Sequence, residues 1–295
     1  MTAQVFAMVL GAAVLHAAWN ALVKVNADRL VMIAIMMMTQ VAVGILVVPF
    51  VAFPTPESWP YIWASCVLNT GYCVFLINAY RYGDLSHVYP ISRGCSPLIV
   101  ALISIAVVGE TLTPQAGFSV VVIALGIMSL TLTRGAEGLR EPKAVLFAVG
   151  TGVFIAGYTI VDGLGARLAE TAESYTFWSH LLNGIPITLV ALYLRRGQVR
   201  VSLRNGWKVG VLGGLISLLA YWIVTWAMTQ APLALVSAVR ESSMVFAVLF
   251  GVFFLKERLD LAKLASIGVT LIGTAMFKSP TRKEFNKDNI LRGVG

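Results

Sequence analysis

At 295 residues, 58% hydrophobic and 12% charged, with a mean hydropathy of +0.82, the chain carries more apolar surface than a water-soluble core absorbs. It reads as a membrane protein, and the short connections between its apolar runs leave no room for a soluble catalytic or ATP-hydrolysing domain. The net charge of +8 does not point to nucleic acid, because the basic residues are spread over short loops without an aromatic-basic module.

Apolar runs of roughly bilayer length can be drawn ten times, at about 3–23, 30–53, 59–80, 86–108, 114–133, 143–162, 174–194, 209–228, 233–255 and 260–277. The first carries His16, Trp19 and Asn20 and lacks a basic leader, so it reads as a retained helix rather than a signal peptide. His16, Asn20 and Lys24 fall at i, i+4 and i+8 and make one polar stripe with Trp19 beside it. That stripe reads either as a cavity lining or as hydrogen-bonded glue between helices. The third run offers Asn69, Tyr72 and Asn78, with Tyr80 at its interfacial end. Cys66, Cys73 and Cys95 all lie in apolar runs and read as small buried hydrophobes, so neither a disulfide framework nor a metal site is expected.

The fourth run contains "VYPISRGCSP", with Arg93 between Pro90 and Pro97. An arginine at a helix centre costs roughly 2.5–3.5 kcal/mol on insertion scales, so it needs a polar environment. Arg93 lies on the order of 10 Å into its span at about 1.5 Å per residue. Ser86, Tyr89, Arg93 and Ser96 share one face, and the prolines are expected to break the helix and free the carbonyls of Ser86 and Arg93 toward a water-filled cavity. A structural ion pair is the alternative. The sixth run places Tyr158, Thr159 and Asp162 where the first has its polar stripe, with Asp162 close enough to the drawn end to be solvated. Its "GTGVFIAG" reads as small residues for close helix packing. The eighth run offers Ser217, Tyr221, Trp222 and Thr225, with Trp226 nearer the interface. In the ninth, "LVSAVRESSM" holds Arg240, Glu241 and Ser242; adjacent residues sit about 100° apart on a helix, so Arg240 and Glu241 are expected to seek partners elsewhere.

Shifting the sequence by 147 residues lays Arg93 on Arg240, Ser96 on Ser243, Glu110 on Glu257, Ser119 on Ser266, Val122 on Val269 and Gly126 on Gly273. A weaker match, shifted by 139, joins the first run to the sixth. The chain therefore divides into a five-helix repeat at 1–134, a linker at 135–142, a second repeat at 143–278 and a polar tail at 279–295 expected to be disordered. Five spans per repeat force the halves into opposite orientations, with polar sites near the midplane at their junction. Fourteen of the 22 Lys and Arg fall on odd-numbered connections and Arg167 alone on even ones, which puts the odd connections in the cytoplasm and both termini outside. Glu110 and Glu257, in "VVGETLT" and "FLKERLD", read as polar residues closing a tight turn.

Two such repeats, the "LHAAWNALVK" first helix, "AYRYGDLSHVYPISRGCSPLIVA", and a Gly-Glu or Lys-Glu turn after the fourth and ninth helices resemble the EamA-type branch of the drug/metabolite transporter superfamily. The resemblance covers nearly the whole chain to about residue 278 and comes nearest to bacterial exporters of aromatic and other neutral amino acids of the YddG kind. It departs in the second half, where "RESSM" stands for the "RGCSP" of the first. It implies an all-α membrane protein of ten helices as two inverted repeats, with helices one, three, four, six, eight and nine around a central cavity and alternating access to it. A neutral amino acid needs a donor for its carboxylate, which Arg supplies by paired hydrogen bonds. It also needs an acceptor for its ammonium, such as Glu241, Asn20 or an aromatic face. The expected substrate-binding set is His16, Trp19, Asn20, Tyr72, Asn78, Tyr89, Arg93, Tyr158, Tyr221, Trp222, Arg240, Glu241 and Ser242, with Glu241, Asp162 and His16 as candidate titrating groups.

No hydrolase, P-loop or paired-cysteine motif occurs, so neither an enzyme nor a cofactor is expected. The expected partners are a small-molecule substrate and the lipid bilayer, with a monomer favoured over an obligate oligomer. The same polar inventory also fits a carrier of another small metabolite, such as an organic anion or a nucleotide sugar, and a non-transporting membrane component is a third class.

Overall fold

The computed structural model describes residues 1–24, 29–134, 141–194, 198–253 and 261–277, and these form helices without a strand. In chain order they are α1 (Ala3–Lys24), α2 (Arg29–Val47), α3 (Trp59–Tyr82), α4 (Leu85–Ala106), α5 (Pro114–Met128), α6 (Pro142–Leu168), α7 (Ala172–Leu194), α8 (Gln198–Gln230), α9 (Leu233–Glu241), α10 (Ser243–Phe253) and α11 (Leu261–Ala275). Local chemistry sets several starts. The Thr113 hydroxyl accepts from Ala116 N at 3.2 Å with Pro114 in the first turn of α5, and Pro142 opens α6 behind Glu141.

Eight stretches are long and apolar enough to cross a bilayer: those of α1 to α6, Gly206–Gln230 in α8, and Leu233–Phe253 through α9 and α10. The remaining two differ from them in composition and length. α7 has 23 residues but carries Ser179, His180 and Asn183 in its run, and α11 has 15. The solvent-facing outside is apolar, with Ile45, Leu46, Val67, Leu102, Leu146, Leu189 and Ile272 exposed. Arg93, Thr159, Asp162, Arg240 and Glu241 are buried, the inside-out distribution that a hydrocarbon surround dictates.

The two halves interlock. α3 packs along α6 as α8 packs along α1, α4 lies against α6 as α9 and α10 lie against α1, and α2 faces α7 while α5 faces α11. The α5–α11 crossing is reciprocal in detail. A Cβ on Gly126 would meet Thr270 and Val269, and one on Gly273 would meet Ile123 and Val122. These are the same contacts under the shift of 147, so exchanging the halves leaves the crossing unchanged. Glycines of "GTGVFIAG" also serve close packing: a Cβ on Gly150 would run into Phe75, and one on Gly152 into Cys95 and Ser92. The largest apolar core joins Val9 and Ala12 of α1, Val100 of α4, Ile123 and Ile127 of α5, Met228 of α8 and Val236 and Val239 of α9.

Two expectations are corrected. α4 runs unbroken from Leu85 to Ala106 through Pro90 and Pro97, because losing isolated donors leaves the other i to i−4 bonds to carry the helix. The break falls instead in the ninth run, at Ser242, where no proline stands. The Ser242 hydroxyl donates to Val239 O at 2.6 Å and its N–H to the same carbonyl at 3.1 Å, so a local turn replaces the α-helical ladder directly after Arg240 and Glu241. The turn at Glu257 and the polar tail lie outside the described residues.

Candidate functional site

The charged residues of α4 and α9 meet between the halves. Arg93 Nη1 donates to Glu241 Oε1 at 3.3 Å, and Arg240 Nη2 donates to the same oxygen at 3.1 Å. The pairing of Arg240 with its own neighbour reverses the expectation from helical spacing. Both residues are within α9, so it is the reach of the two long side chains that closes the roughly 100° between them. Arg93 does find its partner on another helix, and Arg93 and Arg240, related by the shift of 147, share it. A water-filled surround was expected, yet the side chains of Arg93, Arg240 and Glu241 are 6%, 5% and 0% exposed: this conformation holds them in an ion-paired cluster within protein.

The cluster has a surplus of donors. Arg93 Nη2 lies 3.0 Å from His16 Nε2; a guanidinium only donates, so that nitrogen accepts and the ring is neutral. Two guanidiniums share one carboxylate, so the ion pairs within the cluster leave one positive charge unmatched, with Asp162 of α6 the next acidic residue. Arg240 Nη2 also reaches Thr159 Oγ1 at 3.4 Å, while Arg240 Nε and the Ser96 hydroxyl, one turn past Arg93, are buried without a hydrogen-bond partner among the described residues. Buried donors left over beside surplus positive charge favour a ligand rich in acceptors, above all a carboxylate. The Tyr89 ring lies under Arg93 at 5.3 Å, and Tyr72 and Tyr158 meet edge to face at 6.0 Å.

A second polar centre lies one turn along α6. Asp162, buried, accepts from Tyr175 Oη at 2.9 Å and from Tyr221 Oη. The expectation of a solvated Asp162 fails because α7 and α8 fold their tyrosines over it. The Tyr221 ring rests 4.8 Å from that of His180, and Ser65 Oγ accepts from Asn183 at 3.2 Å. No basic side chain among the described residues hydrogen-bonds Asp162. Tyr175, His180, Ser65 and Asn183 were missed in the sequence; His180, one of three histidines in the chain and set in an apolar run, was the available signal.

Several other expected residues are placed elsewhere. Asn20 donates to His16 O at 2.7 Å on its own helix. Trp19 lies edge-on to His16 at 5.0 Å and packs with Val23, Met32 and Met36. Asn78 donates to Val74 O at 2.8 Å in an exposed bond, six residues past Tyr72 and so about 9 Å further along α3. Trp222 turns to Phe177 of α7, their rings 5.9 Å apart. Ser242 serves the helix break described above.

The family model described as EamA-like transporter family matches residues 4–132 and 142–278. The chain belongs to the EamA-like transporter family. It is therefore a multi-pass membrane transporter of small substrates. This EamA-like transporter is similar to the uncharacterized transporter YwfM of Bacillus subtilis (strain 168), 20% identical over 227 residues, which span 77% of this chain and 76% of that one. It shares its fold with a solved crystal structure at a TM-score of 0.71 and 18% identity, over 94% of this chain and 98% of the other.

Proposed function

We propose that this transporter exports neutral amino acids, aromatic ones included, by alternating access between two inverted five-helix repeats in a bacterial inner membrane. Ten spans follow if α7 and the stretch containing α11 cross the bilayer with the eight apolar ones. The reciprocal α5–α11 crossing and the exchange of partners between halves support the inverted relation. The basic connections support periplasmic termini.

The observation that carries the substrate reading is the excess of guanidinium donors over carboxylate acceptors at Arg93, Arg240 and Glu241. A substrate carboxylate supplies the missing acceptor and the missing charge. Glu241, already bound to both arginines, is a poor ammonium acceptor, which moves that role to Asp162. Thr159, which touches Arg240, and Asp162 are three residues apart on α6, about 4.5 Å along its axis. A cation and an anion held one turn apart suit the two charges of an α-amino acid, and Tyr158, Tyr72 and Tyr221 supply aromatic surface for its side chain.

Uptake of radiolabelled amino acids into proteoliposomes tests this reading. Native protein takes them up saturably, and Arg93→Ala and Arg240→Ala each raise the half-saturation concentration by about tenfold or more, the scale of a lost charge-assisted bond. Unchanged uptake in both variants removes the arginines from the site, and uptake of amine-free carboxylates alone redirects the substrate to organic anions.

A further inference from the structure

Glu110 reads in the sequence as a turn-closing residue, and Arg167 as the one loop cation on the even-numbered connections. The structure buries them together. Gly109 adopts a φ of +75°, open to glycine at little cost, and Glu110 N–H returns to Ser104 O at 2.9 Å, which aims the carboxylate inward. Glu110 Oε1 accepts from Arg167 Nη2 at 2.7 Å, and its two oxygens accept from Leu233 N at 3.0 and 2.9 Å. Leu233 opens α9, so the carboxylate sits on the positive end of that helix. Arg167 also donates to Met228 O at 2.8 Å and Ala231 O at 3.0 Å, at the end of α8.

One residue of the first half is thus gripped by the end of α6 and the start of α9, and Arg167 ties the same point to the end of α8, all from the second half. Its side chain and that of Arg167 are 4% and 7% exposed. α9 has nine residues and carries Arg240 and Glu241 at its other end, about 11 Å from Leu233. The tie and the charged centre are therefore joined by one short rigid element. Ser237 lies between them at i+4 from Leu233 and i−3 from Arg240, so all three share a face, and Ser237 is fully buried.

We propose that Glu110, Arg167 and the amino end of α9 form the closed gate on the face of the even-numbered connections. The gate opens once per transport cycle, and α9 carries its opening to Arg240 and Glu241. The proposal rests on the transport reading above, but its test needs no substrate. In a background with Cys66, Cys73 and Cys95 replaced by alanine, Ser237→Cys is exposed to a membrane-impermeant methanethiosulfonate reagent, applied to each face in turn. With the native gate the thiol reacts slowly from the even-connection face. Glu110→Gln keeps the side chain's shape and an acceptor for Leu233 N–H but removes the charge, and it raises that rate by about tenfold or more by shifting the population to the open form.

Arg167→Lys, which keeps the charge and loses the fork of donors, gives an intermediate rate and decides the matter should Glu110→Gln fail to elute as folded protein. Fast labelling with the native gate, or equal rates in the folded variants, overturns the gate. If amino-acid transport fails while labelling responds as expected, the gate stands and the substrate is reassigned.

Discussion

Among the described residues stand two buried arginine–carboxylate clusters, and they are built to opposite rules. At Glu110 and Arg167 the charges match one to one, and two carbonyls and a backbone amide join them. At Glu241 two arginines share one carboxylate. A cluster of matched charges ties helices; one with more arginine than carboxylate is equipped to receive an anionic group. Burial and residue type are alike in both, so the ratio of arginine to carboxylate separates the roles.

The contrast can be broken hardest at Glu241. Glu241→Gln leaves two buried guanidiniums facing each other without a counter-charge, a change of the kind that costs about 3–5 kcal/mol. The expected result is a drop in thermal midpoint, measured in detergent, larger than that of either arginine-to-alanine variant, together with loss of uptake. A smaller and more selective effect belongs to Asp162→Asn. That variant keeps oxygen and nitrogen facing Tyr175 and Tyr221 but removes the negative charge. Competition assays are expected to show about tenfold weaker inhibition by phenylalanine and near-native inhibition by 3-phenylpropionate. The smallest effect is expected for Asn78→Ala, whose bond is exposed and confined to its own helix. Its uptake kinetics stay within about twofold of native, as surface changes away from such features do.

How far the sequence led follows from the kind of signal each feature leaves. Arg93 and Arg240 stood out because charge is rare in apolar runs, and their equal spacing in the two halves pointed to a shared centre. The shift also laid Gly126 on Gly273 as a repeat match, and the structure adds that both sit where α5 and α11 cross closely. Asp162 was visible as a residue but not as a centre, since Tyr175 and Tyr221 reach it from two other helices and no local period records such convergence. Glu110 and Arg167 stand 57 residues apart, and a single long-range pair leaves no pattern. The break at Ser242 was hidden because serine competes for backbone hydrogen bonds only in some contexts, whereas proline advertises itself and, in α4, changed less than its reputation suggests.

The claim that two guanidiniums take the substrate's carboxylate is tested most directly by counterflow in liposomes preloaded with unlabelled phenylalanine. External labelled phenylalanine is to be compared with labelled phenethylamine, the same molecule without its carboxylate. The account predicts saturable accumulation of phenylalanine and none of the amine above protein-free liposomes. Equal accumulation of the amine, or none of either by folded protein, would contradict it.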